Sequence, residues 1–85
     1  MTEFDYTVTD PVGIHARPAG QLVRKAGGYS CDISVALGGR SANAKKLFAL
    51  MGLGVKCGDR ITVRCDGSDE TSAAAELEDF FRASL

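Results

Sequence analysis

The 85-residue chain has few of the residues that metal sites and disulfide scaffolds depend on, because it contains only one histidine and three cysteines. It also has no tryptophan. No apolar stretch approaches the ~20 residues of a membrane-spanning helix, and the N-terminus lacks the basic-then-apolar layout of a signal peptide. The formal net charge of -1 gives no electrostatic reason to bind nucleic acid. We therefore expect a cytoplasmic protein with no membrane insertion and no nucleic-acid partner.

The cysteines Cys31, Cys57 and Cys65 are odd in number, and no two are spaced as Cys-x-x-Cys. A disulfide scaffold is not expected in a chain that is 45% hydrophobic, because such a chain can build an apolar core. A single histidine also provides no Cys/His set for zinc, so we expect neither metal nor cofactor. Cys31 and Cys65 occupy alternating apolar positions and are predicted to be buried, whereas Cys57 precedes a turn and is predicted to be partly exposed.

The length is sufficient for one domain, residues 1–85, and too short for a second core. Alternating apolar residues predict strands, and apolar residues at helical spacing predict helices. The predicted order is strand 4–8, helix 16–26, strand 31–37, strand 40–44, helix 45–53, strand 60–65 and helix 70–85. The alternating polar residues imply that one face of the sheet is exposed to solvent, which favours a mostly antiparallel sheet. The helices are then expected to cover its other face.

Two details of the predicted helices bear on function. The second helix has more apolar residues than one buried stripe needs, so some of them are expected to face water; they are Leu47, Phe48, Leu50, Met51 and Leu53. Asp69 is expected to be the N-cap of the last helix.

The only histidine lies in the segment Gly13-Ile14-His15-Ala16-Arg17-Pro18-Ala19-Gly20, at the start of the first predicted helix. The first N–H groups of a helix lack internal partners and carry partial positive charge, so anions bind there. Pro18 suits the first turn because it has no N–H, and Ala16 and Arg17 still offer theirs. The guanidinium of Arg17 can add donors in a fork geometry. The segment therefore predicts a nucleophilic imidazole beside a phosphate-binding helix end.

The partial positive charge of the helix end also favours the neutral imidazole, which is the nucleophilic form, and stabilises an anionic phosphoryl product. For an arbitrary histidine at a helix start, the simpler interpretation is a surface residue with no chemical role. The neighbouring glycine, arginine and proline favour phosphoryl chemistry instead, as does the lack of a rival catalytic group such as a Gly-x-Ser-x-Gly elbow.

Residues Gly13 to Ala19 resemble the active-site signature of HPr, the histidine-containing phosphocarrier family of the bacterial phosphoenolpyruvate:sugar phosphotransferase system. The resemblance covers essentially the whole chain, including the glycine-rich segment Gly52-Leu53-Gly54 and the Ala-rich last helix. It implies an α+β open-faced sandwich, with a four-stranded antiparallel sheet and three helices on one face in the order βαββαβα. It also implies a monomeric phosphoryl carrier rather than an enzyme.

By this resemblance, Enzyme I would pass a phosphoryl group from phosphoenolpyruvate to Nδ1 of His15, which would deliver it to the IIA domain of a sugar permease. Arg17 would support the phosphoryl group, and the backbone of Ala16 and Arg17 would cradle it. We define the docking face as the residues that the resemblance assigns to partner binding: Ala16, Arg17, Gly20, Gln21, Arg24, Leu47, Phe48 and Met51.

The chain departs from the family pattern at the start of the second helix. Many Gram-positive members have a regulatory serine there, whereas this chain has Lys46, preceded by Lys45. A serine kinase cannot phosphorylate lysine, so we expect no serine switch and expect both lysines to add positive charge to the docking face. Gly20 and Gly27 also replace larger residues that are common in the family.

Two other functions are compatible with the same residues. An acylphosphatase-like phosphohydrolase has a similar size and element order; it would bind phosphate through Arg17, and Asn43 is a remote candidate for positioning its water. A regulatory paralogue, serving nitrogen control or only protein binding, would keep the histidine motif.

Overall fold

Seven elements form the fold, and the computed structural model describes all 85 residues. The strands are β1 (Thr2–Thr7), β2 (Asp32–Leu37), β3 (Arg40–Asn43) and β4 (Arg60–Asp66). The helices are α1 (Ala16–Ala26), α2 (Leu47–Gly52) and α3 (Glu70–Ser84). The predicted element order is confirmed.

The strands form one sheet in the order β1-β4-β2-β3, and every neighbouring pair is antiparallel. Val63 of β4 lies opposite Phe4 of β1 on one side and Val35 of β2 on the other. Because side chains alternate between the faces of a strand, this register places the apolar residues of these three strands on one face. The short β3 lies at an edge, as predicted.

The three helices cover the apolar face of the sheet, and 21 buried hydrophobic residues form one cluster between the layers. Each helix contributes a fully buried side chain, namely Leu22, Leu50 and Phe81. The ring of Phe81 lies 6.0 Å from that of Phe4 and 5.6 Å from that of Tyr6, between ring centroids. This layered arrangement confirms the predicted open-faced α+β sandwich.

The opposite face of the sheet is open and polar. Arg60 pairs with Asp5 at 3.0 Å and Arg64 pairs with Glu3 at 2.9 Å, across neighbouring strands. None of the helices combines the length and the apolar character that crossing a membrane requires.

All three cysteines are free thiols, and their predicted environments are confirmed. Cys31 and Cys65 are buried in the core and Cys57 is exposed. Burial raises the pKa of the Cys31 thiol to about 11, with a further contribution from the neighbouring Asp69 carboxylate. The buried thiols are therefore protonated and unreactive near neutral pH.

Helix α2 is shorter than predicted, because it begins at Leu47 rather than Lys45. The side chain of Asn43 accepts a hydrogen bond from the Lys45 N–H at 2.9 Å, and its carbonyl accepts one from the Lys46 N–H at 3.0 Å. This turn holds both lysines outside the helix, and Lys46 has the extended backbone of an N-cap residue (φ -123°, ψ 112°).

Asp69 is the N-cap residue of α3, as predicted, but its side chain does not cap the helix. Its carboxylate instead accepts hydrogen bonds from the N–H groups of Ser30 at 2.8 Å and Cys31 at 2.9 Å. These donors lie just before β2 and have no strand partner of their own. The bonds lower the pKa of Asp69 and join the start of α3 to the start of β2.

Candidate functional site

His15 is the N-cap residue of α1, which confirms its predicted place at the helix start. Its backbone is extended (φ -116°, ψ -179°), and its carbonyl accepts the first hydrogen bond of the helix, from the Ala19 N–H at 2.9 Å. The imidazole does not cap the helix, and 39% of the side chain is exposed. The ring is therefore accessible from solvent.

A tight turn from Asp10 to Gly13 leads into His15. The Gly13 N–H donates to the Asp10 carbonyl at 2.9 Å, and Asp, Pro and Gly at the first, second and fourth positions are favoured in type I turns. Gly13 has a φ of +79°, and a Cβ there would lie 2.3 Å from the Val55 carbonyl oxygen. The next N–H, of Ile14, donates to that oxygen at 3.1 Å. This close approach packs residues 10–15, which we call the His15 loop, against the segment that follows α2.

The start of α1 presents donors that no protein group uses. The N–H groups of Ala16 and Arg17 have no acceptor in the protein, and Pro18, buried in the first turn, has no N–H. The first turn contains no acidic residue, and the exposed Arg17 side chain makes no ion pair. The structure thus brings the imidazole, the two N–H groups and Arg17 to one helix end, where an anion is favoured.

Asp10 is a residue of the site that the sequence analysis did not identify. Its Oδ2 lies 3.6 Å from Nε2 of His15, and no other carboxylate oxygen lies within 4.0 Å of the ring nitrogens. A signal was available, because an Asp-Pro-x-Gly turn brings its first and last residues together and the histidine follows two residues after the glycine.

The apolar residues in and next to α2 are divided between solvent and core, as expected because they exceed one buried stripe. Phe48 is 85% exposed and Met51 is 39% exposed, whereas Leu47 is half-buried. Leu50 and Leu53 are in the core. The apolar excess of α2 therefore does face water.

On α1, Ala16, Arg17 and Arg24 are exposed, and Gly20 and Gln21 are half-buried. Helices α1 and α2 pack against each other. Val12, in the His15 loop, is a further apolar residue that the sequence analysis did not identify, and it is 66% exposed.

The two lysines before α2 differ in position. Lys46 is exposed, whereas the half-buried Lys45 directs its Nζ to the carbonyl oxygen of Tyr29, just beyond α1, at 2.8 Å. The charge of Lys45 is thus engaged within the fold, contrary to the expectation that both lysines serve the docking face.

Asn43, the remote candidate for a hydrolytic site, lies on β3. It lines a depression on the open sheet face together with Ser34 and Arg64. Its carboxamide oxygen is already engaged by the Lys45 N–H. The structure therefore does not bring Asn43 to Arg17.

A family model described as the PTS HPr component phosphorylation site matches residues 2–83 of the chain. The chain belongs to the HPr family. It is 46% identical over 77 residues to the phosphocarrier protein HPr of Lysinibacillus sphaericus, covering 91% of this chain and 88% of that protein. It is 40% identical over 79 residues to the phosphocarrier protein HPr of Mycoplasma genitalium, covering 92% of this chain and 90% of that protein.

The fold agrees with the same family. A solved mycoplasma histidine-containing phosphocarrier protein superposes with a TM-score of 0.95 at 30% identity, over 98% of this chain and 94% of that one. The family resemblance drawn from the His15 segment is confirmed, and so is the fold that it implied. The chain is thus a phosphocarrier-type protein of the HPr family.

Proposed function

We propose that the protein accepts a phosphoryl group from Enzyme I on Nδ1 of His15 and passes it to the IIA domain of a sugar permease. The observation that carries this proposal is the half-exposed imidazole at the start of α1, beside the unpaired N–H groups of Ala16 and Arg17. Membership of the HPr family supports the same chemistry.

Each group has a defined part in the proposed transfer. The neutral imidazole attacks phosphorus through Nδ1, the nitrogen that the HPr resemblance implies. The phosphoryl oxygens accept hydrogen bonds from the N–H groups of Ala16 and Arg17, and the guanidinium of Arg17 balances their charge. Because these donors are fixed or tethered next to the ring, they stabilise the loaded state without excluding the next partner.

A carrier must present the same histidine to a donor and then to an acceptor, so both partners need a surface next to it. We propose that this surface is the docking face, with Phe48 and Met51 as its apolar part and Arg17 and Arg24 as its cationic part. We propose that the single domain, residues 1–85, acts in the cytoplasm as a monomer, because a monomer leaves the docking face free for each partner in turn. Analytical ultracentrifugation at micromolar concentration measures the oligomeric state.

The direct test is to incubate the protein with Enzyme I and labelled phosphoenolpyruvate. We expect a one-to-one phosphoryl adduct that is labile in acid and stable in alkali. Because the chain has one histidine, a phosphohistidine can only be at His15, and His15→Ala must remain unlabelled. Label that persists in His15→Ala contradicts the proposal.

The same assay separates the alternatives. A phosphohydrolase would release free phosphate over many turnovers, and a purely protein-binding paralogue would not be labelled. Adding a sugar-specific IIA domain to the labelled protein tests for a nitrogen-control paralogue, which would not deliver its phosphoryl group to that domain.

A further inference from the structure

The carboxylate of Asp10 contacts the reacting ring but has no part in the transfer proposed above. Its Oδ2 lies 3.6 Å from Nε2 of His15, and 22% of its side chain is exposed, compared with 39% for the histidine. An ionised carboxylate has only acceptor oxygens. A ring nitrogen that faces it is therefore stabilised when it carries a proton.

Three hydrogen bonds fix the position of Asp10. Its other carboxylate oxygen, Oδ1, accepts the Val12 N–H at 2.8 Å. Its backbone N–H donates to the Leu85 carbonyl at 2.8 Å, and its carbonyl accepts the Gly13 N–H at 2.9 Å. Since Oδ1 is engaged by Val12, Oδ2 is the oxygen that is free to face the imidazole.

We propose that Asp10 is a positioning residue that holds neutral His15 in the tautomer with its proton on Nε2 and its lone pair on Nδ1. This inference rests on the proposed function, for which it explains the choice of nitrogen. The distance of 3.6 Å is longer than a hydrogen bond, but catalytic hydrogen bonds are often long in free proteins and shorten in the reacting complex.

The transfer step balances with this tautomer. The Nδ1 lone pair forms the new N–P bond, while the bond from phosphorus to the donor's leaving atom breaks and its electron pair stays with that atom. The ring keeps its Nε2 proton and becomes a phosphoimidazolium, whose positive charge faces the Asp10 carboxylate. Delivery to the acceptor reverses the same changes, so no proton has to leave the ring in either direction.

The fixed position of Oδ1 gives Asp10→Asn a distinctive consequence. The Val12 N–H is a donor, so it pairs with the carboxamide oxygen rather than with the carboxamide NH₂, and the NH₂ turns toward Nε2. A donor at that place requires a lone pair on Nε2, which moves the ring proton to Nδ1 and blocks the attacking atom. The equivalent replacement beside the histidine of a serine protease imposes the wrong tautomer in the same way. We therefore expect Asp10→Asn to be worse than Asp10→Ala, which only removes the acceptor.

The test measures ring ¹⁵N chemical shifts of His15 in the unphosphorylated full chain, together with the initial rate of labelling by Enzyme I. The single histidine makes the assignment unambiguous. In Asp10→Ala we expect the ratio of Nε2–H to Nδ1–H tautomers to fall by roughly twofold to fivefold, as for an exposed charge contact. In Asp10→Asn we expect the ratio to invert and the labelling rate to fall by about tenfold or more, as when a hydrogen bond to a charged group is lost.

Asp59→Asn is the matched control, because the Asp59 carboxylate also accepts a nearby backbone N–H, that of Lys56 at 2.9 Å, and makes no contact with the imidazole. It should leave the tautomer and the rate unchanged. An unchanged tautomer in Asp10→Asn overturns the inference, whatever the labelling rate. A wild-type protein that is never labelled overturns the proposed function instead, while the tautomer comparison still decides the role of Asp10.

Discussion

At the scale of single residues, the His15 loop depends on a residue that has no side chain. Gly13 combines a φ of +79° with an approach that would place a Cβ 2.3 Å from the Val55 carbonyl oxygen. We expect Gly13→Ala to destabilise the fold by more than the roughly 1–2 kcal/mol that a left-handed conformation costs an L-residue, because the clash with Val55 adds to it. Urea unfolding measures the free energy of unfolding. We also expect Enzyme I to label His15 more slowly in this variant, because the loop is displaced.

Gly58→Ala separates the two causes. Gly58 has a φ of +90°, but no atom beyond its two chain neighbours lies within 4 Å of the position that an added methyl group would occupy, so this variant has the conformational cost alone. Equal losses of stability in the two variants would contradict the role given to the contact with Val55.

Lys46 gives a second prediction at this scale. It occupies the N-cap position of α2, where the HPr resemblance places a regulatory serine in many members. We expect no phosphoserine when the protein is incubated with ATP and a serine-specific HPr kinase, because the hydroxyl acceptor is absent. Mass spectrometry of the intact chain measures this, with Lys46→Ser as the variant expected to gain the modification. Stoichiometric phosphoserine in the wild-type chain would contradict the prediction.

Part of the site could be predicted residue by residue. Ala16, Arg17 and Pro18 directly follow His15, so the sequence alone places their groups in the first turn of the helix that His15 begins. Asp10 was missed because its approach to Nε2 depends on how a turn closes in space, and sequence periodicity does not describe that closure.

At the scale of elements, the two sides of α2 differ in burial, and we expect them to differ in role. Phe48 is 85% exposed and Leu50 is fully buried. We expect Phe48→Ala to change the free energy of unfolding by less than about 0.5 kcal/mol, while weakening the complex with Enzyme I by roughly tenfold or more, as for an aromatic residue at an interface centre.

Leu50→Ala is the complementary variant. We expect it to cost about 2–5 kcal/mol of stability through loss of buried contacts. Titration calorimetry measures the affinity of each variant for Enzyme I, and urea unfolding measures its free energy of unfolding. A Phe48→Ala protein that binds Enzyme I as tightly as the wild type would contradict the docking face.

The strands could be predicted more securely than α2. The alternation of Ile61, Val63 and Cys65 follows directly from a sheet with one buried face, and the structure reproduces it. The start of α2 could not be predicted in this way, because the turn at Asn43 offers the backbone of Lys45 and Lys46 an alternative to the helix.

At the scale of the whole molecule, contacts between the first strand and the last helix close the fold. The Thr2 hydroxyl donates to Glu70 at 2.6 Å, and the N-terminal ammonium lies 2.9 Å from the same carboxylate oxygen. The pKa of Glu70 is lowered from 4.5 to about 2. The hydrogen bond from Thr2 contributes most, and the hydrogen bonds from the ammonium and from the Gly67 N–H contribute less.

This depressed pKa predicts a specific dependence of stability on pH. The contribution of Glu70 is fully present above its unfolded pKa near 4.5 and is lost as the pH falls through the folded value of about 2. We therefore expect the urea midpoint of the wild type to exceed that of Glu70→Gln near neutral pH, and the difference to shrink between about pH 5 and about pH 2.

Asp79→Asn is the control for this measurement, since Asp79 is exposed on the same helix and makes no ion pair. Its difference from the wild type should not follow the same course. A Glu70→Gln difference that grows toward acid would contradict the assignment.

The three thiols can report global unfolding of the protein, because they differ in exposure. Cys57 is exposed, whereas Cys31 and Cys65 are buried. A maleimide dye should therefore attach at one position in the native protein, on the loop whose Cys57 Sγ lies 3.7 Å from the Thr9 carbonyl oxygen. Uptake of further dye would then record global unfolding events under native conditions, without denaturant and without an added tryptophan.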